Sequence, residues 1–395
     1  MKTIYLHIGT FKTGTSSIQN FITRNREVLC DLGYFVPSSQ AMGHHELPIS
    51  LIRDYSDFEA AWPKFEGNSE EIWGKLIEEI NSCPCEKIII SAEGFCDLVN
   101  ENCREVSEYM GGLVVNYLAN FKVVVVCYLR EILPYMLSMY RETIKITPRT
   151  LSFNEQVHRY AQNDSIHLLP SIYLDFFEKL FGRDAMVVKK YSRDELRGGD
   201  VVCDFMATIG LGEEINPLLD AREPELQELN TSIDVNELDL KRAFNLAGAH
   251  GLDLNRKVAD LIKGSAVIAA GDASGDSAQQ AQELSKLINI EQDKLNDRYK
   301  VNFAALKNGV FATDSKPRDV DYLYLVALLG LNIQQGRDAI QLGRDAIQLA
   351  QQNRETLTRL ETQIRFEVQL KRLFSRGLAA VIRLPRKLLQ VLRRR

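Results

Sequence analysis

The segment that most limits what this chain can become is LHIGTFKTGTSSIQ, Leu6–Gln19. A strand-like apolar run, Ile4–Ile8, ends at Gly9, Gly14 follows, and a helix-like run opens at Thr15 or Ser16. A strand that turns through glycines into a helix aims backbone N–H groups at one spot, and that spot favours an anion. In the triphosphate-binding version of such a turn, GxxxxGK[ST], the lysine follows the second glycine. Here Thr15 holds that place and the lysine is Lys12, inside the turn. The segment reads either as a phosphate-binding turn with its cation moved back or as a plain strand-to-helix connection.

Other short apolar runs alternate with longer helical ones, which predicts an α/β fold with a central parallel sheet flanked by helices. Strands are expected at Ile4–Ile8, Lys87–Ser91, Lys122–Leu129 and Met186–Tyr191, with a short one near Tyr34–Pro37. Helices are expected over Ser16–Leu32, Ser69–Ser82, Arg104–Asn120, Ile132–Ile146, Ile172–Phe181 and Val201–Ile209. In such sheets ligands bind beyond the C-terminal ends of the strands.

From Asp220 onward the pattern is helical. Gly264–Gln282 is small and polar, a loop or linker by composition, and Lys294–Phe311 recovers helical periodicity. Three regions follow: 1–312 as the main domain, 313–372 as a helical extension, and 373–395 as a basic tail. The extension repeats GRDAIQL in tandem at Gly336–Leu342 and Gly343–Leu349, with Ala339, Leu342, Ala346 and Leu349 forming an a/d-like seam. Two heptads fit helix-mediated self-association, and equally a simple amphipathic helix or a recent duplication. In the tail, Phe374, Leu378, Val381, Leu388 and Leu392 share one helical face opposite arginines, a pattern suited to an anionic membrane surface. Pro385 interrupts it, and a packed helix or a disordered basic end are the other readings.

Charge excludes one class of function. The formal net charge of −5 divides into +9 over Lys371–Arg395 and −14 over the rest, so the body of the chain repels a nucleic acid. The seven cysteines include no CxxC pair, and no paired-histidine spacing accompanies them, which argues against a zinc site or a disulfide framework. No charged-then-apolar leader opens the sequence, and no apolar run approaches the roughly 18 residues of a membrane span. The expected location is the cytoplasm, peripheral on the inner face of the membrane if the tail binds lipid.

A magnesium triphosphate site needs an acidic residue at the end of a strand beside the loop. The strongest strand, KVVVVCYLR, ends instead in Arg130. Ser138 follows eight residues later, about two helical turns on. An arginine fork and a serine hydroxyl can hold one phosphate between them. Two anion positions result, one at Lys12 and one at Arg130 with Ser138, and no metal is called for.

Three features together resemble the sulfotransferases that use 3′-phosphoadenosine 5′-phosphosulfate: KTGTS at Lys12–Ser16, the strand-end arginine with its serine, and KKYSRDEL…DFMATIGL after a later strand. HIGTxKTGTxSIQ is similar to bacterial members acting on glycans or glycolipids, and the resemblance covers about residues 1–312, most clearly the first 210. It implies a P-loop NTPase-like fold and transfer of a sulfuryl group to a carbohydrate or glycolipid hydroxyl. Lys12, Thr13, Gly14, Thr15 and Ser16 would grip the 5′-phosphosulfate, Arg130 and Ser138 the 3′-phosphate, and Tyr191 the adenine side. Lys12 would also stabilise the oxygen that leaves with the nucleotide. The family's late Arg-Lys-Gly segment is missing, LKNG at Leu306–Gly309 being the nearest match, which argues against steroid or phenol acceptors.

The base is open between two candidates. Glu93 stands just past the strand KIIIS, and His44–His45 follow the second strand. Family members use Glu or His, and Glu93 is the first choice, His45 the second. Glu93 can alternatively cap the following helix, and the histidines can belong to a solvated loop. His7, inside a strand, reads as a core or cofactor-edge residue. The competing functions are a P-loop kinase and a non-catalytic, nucleotide-binding assembly protein docked on a membrane.

Overall fold

The computed structural model describes residues 1–56, 65–147, 149–216, 245 and 275–306. Five strands form one parallel sheet: β1 Thr3–Gly9, β2 Tyr34–Phe35, β3 Lys87–Ser91, β4 Lys122–Leu129 and β5 Met186–Lys190, in the order β2-β3-β1-β4-β5. Ten helices accompany them among the described residues: α1 Thr15–Arg24, α2 Arg26–Asp31, α3 Glu46–Tyr55, α4 Ser69–Ser82, α5 Arg104–Leu118, α6 Ile132–Ile146, α7 Phe153–Gln162, α8 Ser171–Phe181, α9 Val201–Thr208 and α10 Gly275–Tyr299.

The strands form where aliphatic runs can be buried on both faces. Side chains of alternate residues point to opposite faces of a sheet, and the packing follows that rule. Ile4, Leu6, Ile8, Ile88, Ile90, Val125 and Cys127 join one cluster with Leu51 of α3, Trp73 of α4, Met110 of α5 and Phe177 of α8. Ile89, Val126 and Tyr128 face the other way, against Ile18 and Ile22 of α1 and Phe205 of α9. Full burial of an aliphatic side chain is worth about 1.5–3 kcal/mol, so a one-residue slip of β3, exchanging its two faces, is strongly disfavoured. A third cluster joins α6, α7 and α10 through Ile132, Met136, Val157, Leu284 and Ile288.

The long helix expected over Ser16–Leu32 is two. Asn25 ends α1 with its backbone N–H on the Phe21 carbonyl at 3.1 Å, and its side-chain amide donates to the same oxygen at 2.8 Å. At the other end of the chain the linker reading of Gly264–Gln282 is overturned from Gly275 on, where α10 begins, and the helix expected over Lys294–Phe311 stops at Tyr299. Lys300 and Asn302 then take positive φ and the chain runs on without helix to residue 306. The tandem heptad and the basic tail lie outside the described residues. Among the described residues, no helix is long and apolar enough to cross a membrane.

This strand order puts the site where connections diverge. The chain leaves β1 toward β2 on one side of the sheet and leaves β4 toward β5 on the other. The strand order thus reverses between β1 and β4, and ligands in open α/β sheets bind outside the C-terminal ends of strands at such a point. The two loops at that point carry Lys12 and Arg130.

Candidate functional site

The turn between β1 and α1 is built from conformations most residues avoid. Gly9 and Gly14 adopt φ of 101° and 79°, and Lys12 itself has φ of 60°. A Cβ on Gly9 would lie 2.8 Å from Cβ of Glu93, so only glycine lets that carboxylate side chain approach β1. A Cβ on Gly14 would meet Val201 Cγ1 at 2.7 Å and Tyr191 Cε2 at 3.3 Å, which places the Tyr191 ring against the turn. Gly14 precedes α1 with no side-chain cap, leaving the amides at the start of the helix to other acceptors.

The turn is tied to β4. The Thr10 N–H donates to the Tyr128 carbonyl at 3.1 Å, two residues before Arg130, and the Tyr191 N–H donates to the Leu129 carbonyl at 2.6 Å. Thr13 is fully buried and its hydroxyl donates to the Thr10 carbonyl at 2.6 Å, so its side chain braces the turn from within. Ser16 is exposed. Lys12 reaches across to α6, with Nζ 3.6 Å from Glu142 Oε2. Glu142 lies one helical turn beyond Ser138, so the helix face carrying Ser138 is the face that meets Lys12.

Arg130 makes no hydrogen bond or ion pair among the described residues, and neither does the Ser138 side chain. Both are half-buried, Arg130 just past the end of β4 and Ser138 within α6. A further cation was not foreseen from the sequence: Arg141, three residues past Ser138 on α6, has a buried Nε with no partner. A buried donor left unpaired costs free energy, and an anion at this face would satisfy it. The i, i+3 spacing from a candidate phosphate-binding serine was the one available signal.

On the other side of β1 the two candidate bases meet. Glu93 begins a short 3-10 turn, Glu93–Val99, immediately after β3. His45 precedes α3, with Nε2 3.5 Å from Glu93 Oε2. Gln19 of α1 joins them: its amide nitrogen donates to Glu93 Oε2 at 2.6 Å and lies 3.4 Å from His45 Nε2. The Thr15 hydroxyl donates to Glu93 Oε1 at 3.3 Å. Burial lowers the His45 pKa, and the nearby Glu93 charge only partly opposes that, so the imidazole is neutral near pH 7. A neutral ring can accept at Nε2, and one amide can then donate to both ring and carboxylate. The arrangement holds two proton acceptors beside the β1–α1 turn, with side-chain exposures of 8% and 12%.

The neighbouring histidines have structural partners. His44 is buried, accepting from the Ser91 N–H at Nδ1 and donating from Nε2 to the Pro37 carbonyl. His7 is buried with Nδ1 2.8 Å from the Ser91 hydroxyl and its ring against Phe205. The solvated-loop reading of His44–His45 therefore does not describe them.

Burial lowers the pKa of His7 to about 3 and those of His44 and His167 to about 4. These rings are neutral in the folded chain and take protons in the unfolded chain below about pH 6.5, so acid favours unfolding. Burial raises Glu46 to about 7 and raises Glu291, and these two carboxyls work in the opposite direction. Three imidazoles, His7, His44 and His167, oppose the one carboxyl of Glu46 between pH 6.5 and 5. Stability should fall on acidification over that window by roughly 1.4 kcal/mol per pH unit for each net proton. Denaturant melts at pH 7 and pH 5 check it, and a midpoint that rises at pH 5 contradicts buried neutral histidines.

Compared with protein-family models, curated proteins and solved structures, the chain matches none of them.

Proposed function

We propose that the chain is a sulfotransferase that moves a sulfuryl group from 3′-phosphoadenosine 5′-phosphosulfate to a hydroxyl of a carbohydrate or glycolipid, on a P-loop NTPase-like fold. The observation that carries the reading is the juxtaposition at Thr15: its turn offers amides and Lys12 to an anion, and its hydroxyl touches Glu93 beside His45. An anion-binding turn next to a neutral imidazole and a carboxylate is what in-line transfer to an alcohol requires. The unpartnered Arg130 and the buried Nε of Arg141 supply cations for a second anionic group on the same ligand. Lys12 holds the leaving oxygen, and Glu93 takes the acceptor hydroxyl proton while Gln19 keeps the carboxylate aimed. The basic tail would bring a cytoplasmic enzyme to an anionic membrane carrying its acceptor.

One observation favours a second reading, a P-loop kinase. The acidic residue sought at the end of β4 stands instead at the end of β3, the other neighbour of β1, with Thr15 Oγ1 3.3 Å from Glu93 Oε1. A hydroxyl and a carboxylate so placed are the usual holders of Mg²⁺ in triphosphate enzymes.

Calorimetric titration separates the two. In EDTA, 3′-phosphoadenosine 5′-phosphate should bind tightly and ADP weakly. Arg130→Ala should weaken the former about tenfold to a hundredfold, the loss expected for a charge-assisted hydrogen bond. Tighter binding of ADP with Mg²⁺ would overturn the sulfotransferase reading in favour of the kinase. Binding without transfer to any glycan acceptor would identify a non-catalytic nucleotide-binding protein.

A further inference from the structure

At the end of the sheet opposite the anion turn, three thiols cluster. Cys30 of α2 and Cys85, which precedes β3, have their sulfurs 3.5 Å apart. Cys83, two residues before Cys85, has its sulfur 3.7 Å from the Cys85 carbonyl and 3.6 Å from Lys2 Nζ. We propose that Cys30 and Cys85 are a reversible oxidation site that closes to a disulfide with hydrogen peroxide.

The geometry needs little movement. A disulfide bond is about 2.05 Å long, so the two sulfurs must approach by about 1.5 Å, within reach of side-chain rotation. Cys30 is half-buried and Cys85 is 5% exposed, so peroxide meets Cys30 first. Burial and the neighbouring thiols push Cys85 up to about 12, which keeps it protonated until its turn.

The Cys30 thiolate attacks one peroxide oxygen, an S–O bond forms, the O–O bond breaks, and the departing hydroxide takes a proton to become water. The Cys85 sulfur then attacks the Cys30 sulfur. The S–S bond forms as the S–O bond breaks, and the second hydroxide leaves as water with the Cys85 proton. The two thiols together lose two electrons and one peroxide gains them.

The closed loop contains β2, α3, α4 and His45. Oxidation thus tethers the segment bearing one candidate base to the entry of the strand that leads to the other.

The test is thiol mapping of the folded, full-length chain. Before peroxide, alkylation under denaturing conditions should label all seven cysteines. After peroxide, two labels should be lost, proteolysis should release one peptide pair joined through Cys30 and Cys85, and dithiothreitol should restore both labels. Cys30→Ser should leave Cys85 open to alkylation after the same treatment. Seven labels retained after peroxide, or a crosslink that joins Cys83 or any other cysteine instead, would overturn the proposal.

Discussion

Replacing Lys12 with alanine should lower the transfer rate by on the order of a hundredfold or more, the usual cost of removing a group that stabilises charge in the transition state. The fold should survive. Alanine at φ of 60° is no worse placed than lysine, since each carries a Cβ. The lost partner, Glu142, is a half-exposed carboxylate, and such pairs contribute about 0–1 kcal/mol. Transfer from labelled donor, measured beside a thermal melt, is the check: a wild-type rate from a folded Lys12→Ala would remove the turn from the chemistry. The ion pair also has a role in the resting protein. Glu142 holds Lys12 toward α6 at 3.6 Å.

Glu93→Gln should cost on the order of 10²–10⁴ in kcat, the range for a lost general base. The amide keeps the shape of the side chain and can still accept from the Thr15 hydroxyl or the Gln19 amide, though not from both, and it cannot take a proton. Donor binding, read by the same titration as above, should change little. His45→Asn is the paired measurement. A small loss there and a large one at Glu93 identifies the carboxylate as the base, with His45 positioned to share its proton across 3.5 Å. The opposite pattern moves the base to the imidazole.

Legibility in the sequence followed the range of the forces involved. The strands KIIIS and KVVVVCYL appear with the expected bounds, because uninterrupted β-branched and aliphatic runs between polar ends have few other uses. Helix α7 escaped, although its Ser152–Glu155 capping box is a readable start signal, because its residues are mostly polar. Helix α3 was hidden by Pro48, which a first turn tolerates. The strand-to-helix turn was legible as a local pattern of Gly9, Lys12 and Gly14. The meeting of His45 with Glu93 was not, since it depends on β2, which His45 follows, pairing with β3, which Glu93 follows. Gln19 carries no motif and becomes visible only as the donor to Glu93.

The strand order has a consequence for how the protein is made. β1 leaves the ribosome before the other four described strands, yet it is the middle of the sheet they form. Its two partners come much later: Thr3 pairs with Lys87 on one side and Lys122 on the other. At about 5–20 residues per second of synthesis, the apolar segment that ends at Gly9 waits on the order of ten seconds with unpaired edges. An exposed apolar strand with both edges open is a template for association with other chains. The turn after β1 is thus synthesised well before the two strands that pair with β1 and complete the sheet around it.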